Sequence, residues 1–180
     1  MINHNGNHHR QSIRYLGYDY TLPGGYFITV VSYQRENLFG SFENGQLVLS
    51  KLGMAVKNEW LHSAQLRKEL RCVDEEMVLM PNHLHGIVWI EQTFAPEEST
   101  DGDLMESQSQ FTRKSRSLGS FIAGFKSKTT AIARKEFGIS KIWQRNFYDH
   151  IIRGYPDYER IFLYIQENPF RWIEDQLFHA

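Results

Sequence analysis

The sequence predicts an α+β fold, with helices packed on one face of a mainly antiparallel sheet, and three features carry that prediction. Segments of strand composition come in neighbouring pairs joined by short turns, which favours antiparallel pairing. Other segments repeat apolar residues near the 3.6-residue helical period. The two kinds interleave in the order strand, hairpin, helix, two strands, helix, strand, helix.

Each element has its local cause. A polar lead with His4, His8 and His9 is expected to be disordered over residues 1–11. GGYFITVVSYQ, Gly24 to Gln34, is rich in Tyr, Phe, Ile and Val after a Pro-Gly-Gly turn and predicts a strand. LFGSFENGQLVLS places Asn44-Gly45 between alternating apolar residues, a hairpin signal because both turn positions favour positive φ. From about 51 to 67, Leu52, Ala55, Val56, Glu59 and Trp60 recur at helical spacing behind Ser50, a candidate cap. RCVDEEMVLM and HLHGIVWI read as two strands around a tight turn at Pro81-Asn82. Leu118, Phe121, Ile122, Phe125, Thr129 and Ile132 form one helical stripe that stops near Gly138. KIWQRNFYDHIIR predicts a short extended segment, with Trp143 and Phe147 as core residues in preference to stacking surfaces, and His150 as a hydrogen-bonded strand residue in preference to a second polar group near the site. A last helix, about 156–168, carries the stripe Tyr158, Ile161, Phe162 and Ile165 and is stopped by Pro169.

The chain has 180 residues, 41% hydrophobic and 14% aromatic, which suits a single globular domain over 1–180. No apolar run approaches the ~20 residues of a membrane span, and the opening MINHNGNHHRQSIRY has no apolar signal core. A cytoplasmic protein is expected, with no membrane partner. The single cysteine, Cys72, excludes an internal disulfide framework and a cysteine-based zinc knuckle, and reads as a small apolar residue at a strand start. Net charge is −1, but its distribution is uneven: Glu91 to Glu106 carries six acids and no Lys or Arg, while Arg113 to Lys135 carries seven bases and no acid. The basic run is the kind of footprint that phosphate binding requires, and it also fits a solvated helix face. Residues 91–117 are polar and aperiodic, and are expected to form a mobile linker or loop, or one ordered by a partner.

The chemistry is concentrated in MVLMPNHLHGIVWI, Met77 to Ile90. Strand side chains alternate between faces, so His83 and His85 share one face with Ile87 and Trp89, while Leu84, Gly86 and Val88 take the other. Two buried imidazoles are costly unless each finds a partner. Either both are hydrogen-bonded structural residues, or they form half of a divalent-metal site whose third ligand comes from elsewhere in the fold. A metal so held keeps open positions and its charge, which suits polarising a phosphate oxygen. Tyr148, Tyr155, Tyr158 and Tyr164 are available as nucleophiles in the last third. Tyr158 lies within the apolar stripe of its helix, whereas Tyr164 lies about 110° from the stripe centre, with Asn168 one turn on along the same flank.

MPNHLHGIVWI, followed downstream by IWQRNFYDHIIR and YIQENP, resembles the single-tyrosine HUH transposases, in particular the REP-associated tyrosine transposases. The resemblance runs from about Ser12 to about Trp172, and the segment at 91–112 matches in position only. It implies a ferredoxin-like α+β fold. It also implies that His83 and His85 bind Mg²⁺ or Mn²⁺, that Asn168 completes the metal shell, and that Tyr164 is the nucleophile. The implied activity is cleavage and rejoining of single-stranded DNA at hairpin elements through a 5′-phosphotyrosine, by a homodimer.

Candidate phosphate contacts are Lys126, Lys128, Arg145 and Arg153, with Lys114 and Arg116 in the linker and Arg14 in SIRY. Two other functions use the same residues differently: a DNA-hairpin-binding protein without catalysis, and a metal-dependent phosphodiesterase in which water attacks.

Overall fold

The computed structural model of the protein describes residues 17–91 and 116–174. The expectations for residues 1–11 and for most of 91–117, and the candidates Arg14 and Lys114, lie outside the described residues. The sheet is built on β1 (Gly24–Val31) and β6 (His83–Ile90), paired antiparallel along their full length from Gly24↔Ile90 to Val31↔His83. On the far side of β6 lie β4 (Leu70–Arg71) and β5 (Met77–Met80); on the far side of β1 lies β7 (Tyr148–Ile151). A separate hairpin, β2 (Gly40–Glu43) with β3 (Gln46–Leu49), leads into α1 (Lys51–Gln65). The remaining helices are α2 (Leu118–Phe137) and α3 (Tyr155–Glu167), the latter continuing as a 3-10 helix over Asn168–Glu174. Without the inserted hairpin, β4 and α3, the core is a β-α-β-β-α-β unit with the spatial order β7, β1, β6, β5, which is the ferredoxin-like arrangement.

Local chemistry explains the element ends. Asn44 (φ 51°) and Gly45 (φ 78°) form the β2–β3 turn with both residues at positive φ. Ser50 caps α1 by accepting from Gly53 N–H at 2.9 Å. At Gly53 an added Cβ would stand 1.9 Å from the Phe39 carbonyl oxygen, so only glycine lets the helix start dock on that loop. Ser117 caps α2, and Gly138 (φ 71°) closes it in the left-handed conformation, donating to the Ala133 carbonyl.

The even residues of β1 and β6, including Tyr26, Ile28, Val30, Leu84 and Val88, join Trp60 of α1 and Phe121, Ile122 and Phe125 of α2 in the main core. Trp60 approaches β6 at Gly86, where an added Cβ would meet its indole at 3.0 Å. The expected one-sided helical layer therefore consists of α1 and α2. The last helix, α3, adds a layer on the opposite face, where Ile161 and Ile165 pack on Ile87 of β6. The first face is already filled by two helices, so the α3 stripe is buried on the second.

The expected strand over Arg71–Met80 is interrupted. Arg71 pairs with Trp89 and Met77 with Gly86, so residues 72–76 stand against only 87 and 88, and the excess is taken up by a 3-10 turn at Asp74–Glu76. The first expected strand, to Gln34, ends at Val31, beyond which Gln34 (φ 55°) and Arg35 (φ 61°) take left-handed conformations. The segment expected to be extended over 141–153 is a strand only at 148–151, with one further bridge between Ser32 and Trp143. Trp143 and Phe147 are both in the core.

Candidate active site

The second face of the sheet carries the histidines. His83 is fully buried and His85 is 3% exposed, with ring centroids 4.4 Å apart. Each ring is held at Nδ1. His83 Nδ1 lies 2.8 Å from Asn82 Oδ1, and the Asn82 amide N–H donates to the Arg35 carbonyl, so the ring N–H is the donor toward Oδ1. His85 Nδ1 lies 2.8 Å from Thr29 Oγ1, its cross-strand partner on β1. With Nδ1 of each ring engaged, Nε2 is the atom through which either ring would ligate a metal. Burial pushes the His83 pKa down to about 3, so its ring is neutral at physiological pH.

Tyr164 projects from the flank of α3 with its hydroxyl 3.1 Å from His85 Nε2. In the tautomer whose Nδ1–H donates to Thr29, the Nε2 lone pair accepts from the phenol. The phenol stands edge-on to Phe27 of β1 at 6.0 Å, and Phe27 stacks on the His85 ring at 5.3 Å. Tyr164 is 40% exposed, so part of the side chain faces solvent even though the imidazoles are enclosed. Asn168 is buried one turn later, and Trp172, one turn further, tilts against His83 at 5.8 Å while stacking on Phe42 of the β2–β3 hairpin at 6.0 Å. The chain from 164 to 172 thus lies over the histidine pair from one ring to the other.

The other tyrosines are placed differently. Tyr158 donates its hydroxyl to Glu76 Oε1 at 3.0 Å, and desolvation together with this bond raises its pKa, so it stays protonated. Tyr155 is exposed at the first turn of α3. Tyr148 is exposed on β7 in the cross-strand row Tyr148, Thr29, His85, two strands from the imidazole. The Cys72 thiol, pushed up to about 12 by burial and by the nearby Glu76 carboxylate, is no nucleophile.

Two polar anchors set α3 against the sheet. The buried Glu76 carboxylate accepts from Trp89 Nε1 at 2.7 Å as well as from Tyr158. Asp157 accepts from Arg153 N–H, His150 Nε2 and Arg160, contacts that hold its carboxyl far below the usual range. His150 is thus a hydrogen-bonded strand residue, as expected. Thr29, Asn82, Phe27, Trp172 and Glu76 were not legible as site residues, because each acquires its role through strand register or helix docking. Only Asn82 carried a local signal, being adjacent to the motif.

Among the described residues, His, Cys, Asp and Glu do not converge in groups of three, so a metal at the histidine pair would take a neutral third ligand such as an amide. Of the basic candidates, Lys128, Arg145 and Arg153 are exposed. Arg116 is exposed just before α2. Lys126 instead turns its ammonium to the carbonyls of Gln144, Arg145 and Asn146. No helix among the described residues is long and apolar enough to cross a membrane.

Comparison with known proteins places this geometry in context. No protein-family model matches the chain. It is 40% identical over 173 residues to an uncharacterized protein of Haemophilus influenzae, covering 96% of this chain and 95% of that one. Among solved structures it is similar to the REP-associated tyrosine transposase bound to a REP hairpin, with a TM-score of 0.54 and 22% identity over 86% of this chain and 72% of that one.

Proposed function

The chain belongs to one family with the Haemophilus influenzae protein and has the fold of the REP-associated tyrosine transposase, and from that premise we propose that it is a metal-dependent single-stranded DNA transposase. In this reading it cleaves and rejoins DNA at hairpin elements through a 5′-phosphotyrosine on Tyr164. One observation carries it: the phenol, half exposed, is held 3.1 Å from an imidazole that is paired with a second, buried and neutral one. His83 and His85 fit a divalent cation through their Nε2 atoms, because Nδ1 of each is engaged by Asn82 and Thr29. Asn168 is the proposed third ligand, and Mg²⁺ or Mn²⁺ the proposed ion. When bound, the cation supplies charge neutralisation at the scissile phosphate.

The chain's own groups do the rest. Thr29 orients the His85 ring, whose single Nε2 lone pair meets the Tyr164 hydroxyl in this structure and would pass to the cation when one is bound, leaving the edge-on contact with Phe27 to keep the phenol beside the site. A free phenol has a pKa of about 10, so the proton must leave as the oxygen attacks. The new bond is from Tyr164 oxygen to phosphorus, and the bond broken is from phosphorus to the 3′-oxygen, which departs as a hydroxyl once protonated. One phosphate ester replaces another, so a 3′-hydroxyl can reverse the step without a nucleotide cofactor. The test is incubation with single strands containing an imperfect palindrome, followed by denaturing electrophoresis. A covalent adduct mapped to Tyr164, and lost in Tyr164→Phe with DNA binding retained, is the expected outcome. An adduct on Tyr148 instead, or cleavage with no adduct, overturns the assignment.

A further inference from the structure

Away from the histidine pair, a groove of about 780 Å³ runs between α2 and the segment 140–145. Four basic residues line it: Lys126 and Arg134 on α2, and Lys141 and Arg145 opposite. Among the described residues lining it there is no Asp or Glu. Ser127, Thr130 and Ala131, all small, line it from α2, and Tyr33 and Trp143 line it as well. Part of the lining is held: Lys126 is bound to the carbonyls of 144–146, Trp143 Nε1 donates to Thr129 at 2.8 Å, and the Lys141 ammonium sits 5.4 Å from the Tyr33 ring centroid.

The groove is also stitched to the end of the sheet that carries His83. Gln144 N–H donates to the Val31 carbonyl, Tyr33 N–H to that of Ile142, and Ser32 N–H to that of Asn82. Val31 is itself the cross-strand partner of His83. We propose that this groove is a second nucleic-acid site, a track for the phosphodiester backbone of a single DNA strand, formed by Arg134, Lys141 and Arg145 beside the small residues of α2. A basic lining free of carboxylates is the feature of single-strand grooves, in which contacts to the backbone are independent of sequence. A groove of about 780 Å³ has room for one backbone, whereas a duplex would ride on its rim. The inference rests on the single-strand reading above only for the identity of the polyanion.

The experiment measures fluorescence anisotropy in the full chain carrying Tyr164→Phe, so that no cleavage intervenes. The probes are a labelled mixed-sequence single strand and the perfect duplex of the same sequence. Arg134→Glu with Lys141→Glu is expected to weaken single-strand binding by about tenfold and to flatten the salt dependence by about 0.7 in log–log slope for each phosphate no longer neutralised. The duplex should be weakened less. Lys51→Glu with Lys68→Glu, an equal charge change at and just beyond the ends of α1, should have a smaller effect, and Arg145→Gln alone an intermediate one. Unchanged affinity and slope in the groove variants, an equal weakening in the α1 control, or a larger weakening for the duplex would each overturn the proposal. If the unsubstituted chain binds the strand through the groove yet forms no adduct, the transposase reading fails and the groove stands. If neither probe binds, both fail.

Discussion

Asn82 and Thr29 make the histidine pair usable, since each fixes one ring by its Nδ1 and so presents Nε2. Partners of this kind typically cost 10–100-fold in metal affinity or activity when removed. Asn82→Ala and Thr29→Val should therefore weaken Mn²⁺ binding, followed by titration calorimetry, and slow adduct formation by about 10–100-fold. His83→Ala and His85→Ala should abolish both, and full cleavage in excess chelator would reduce the pair to a structural feature. Neutral His83 also has a pH signature. Its folded-state pKa is lowered to about 3 by burial, below the ordinary value near 6.5. Between those values the unfolded chain binds the extra proton, so this stabilising contribution is complete above about pH 6.5 and is lost as pH falls toward 3. Urea midpoints should fall over that window, and less in His83→Gln. That His83 and His85 share a face was legible in the sequence, because strand alternation is local. The supporting residues were not: Thr29 meets His85 only through the β1–β6 register, 56 residues away along the chain.

At the scale of elements, α3 is held by an apolar stripe and two carboxylates. Ile161 and Ile165 are buried on Ile87, so Ile165→Ala should cost about 2–5 kcal/mol of unfolding free energy in denaturant titrations. Glu76→Ala removes the acceptor shared by Trp89 and Tyr158 and should cost about 1–3 kcal/mol. It should also raise amide exchange along α3, a loosening that Glu76→Gln should largely avoid. No change in exchange would show that the apolar stripe alone positions Tyr164. The helix itself was legible from its stripe and from Pro156 and Pro169, and so was the flank position of Tyr164. Which face of the sheet it covers was not, since periodicity describes a helix and not its neighbour. The break at 72–76 was hidden for a related reason: RCVDEEMVLM has strand composition at both ends, and only pairing with β6 shows that it carries surplus residues.

For the whole molecule, a net charge of −1 conceals a basic groove on one side, so DNA affinity should depend steeply on salt despite the neutral total. Cleavage should be faster on single strands carrying an imperfect palindrome than on the same sequence as a perfect duplex, measured at matched salt. Equal rates would favour a general nuclease. The α+β class was legible because each strand and helix announces itself locally; the ferredoxin-like order was implied by the family resemblance, since local signals do not say which strands pair. The groove was not legible: Arg134 and Lys141 come together with Arg145 only when 140–145 folds back against α2.

The surplus at 72–76 has an effect on the protein's dealings with its own copies. A continuous strand from 70 to 80 would have left a long row of unpaired amide and carbonyl groups at the margin of the sheet, a template for another chain. Instead the margin is divided into runs of two and four residues, separated by a turn bearing Asp74, Glu75 and Glu76. The same five residues that bring Glu76 under α3 thus guard that margin against adventitious strand addition.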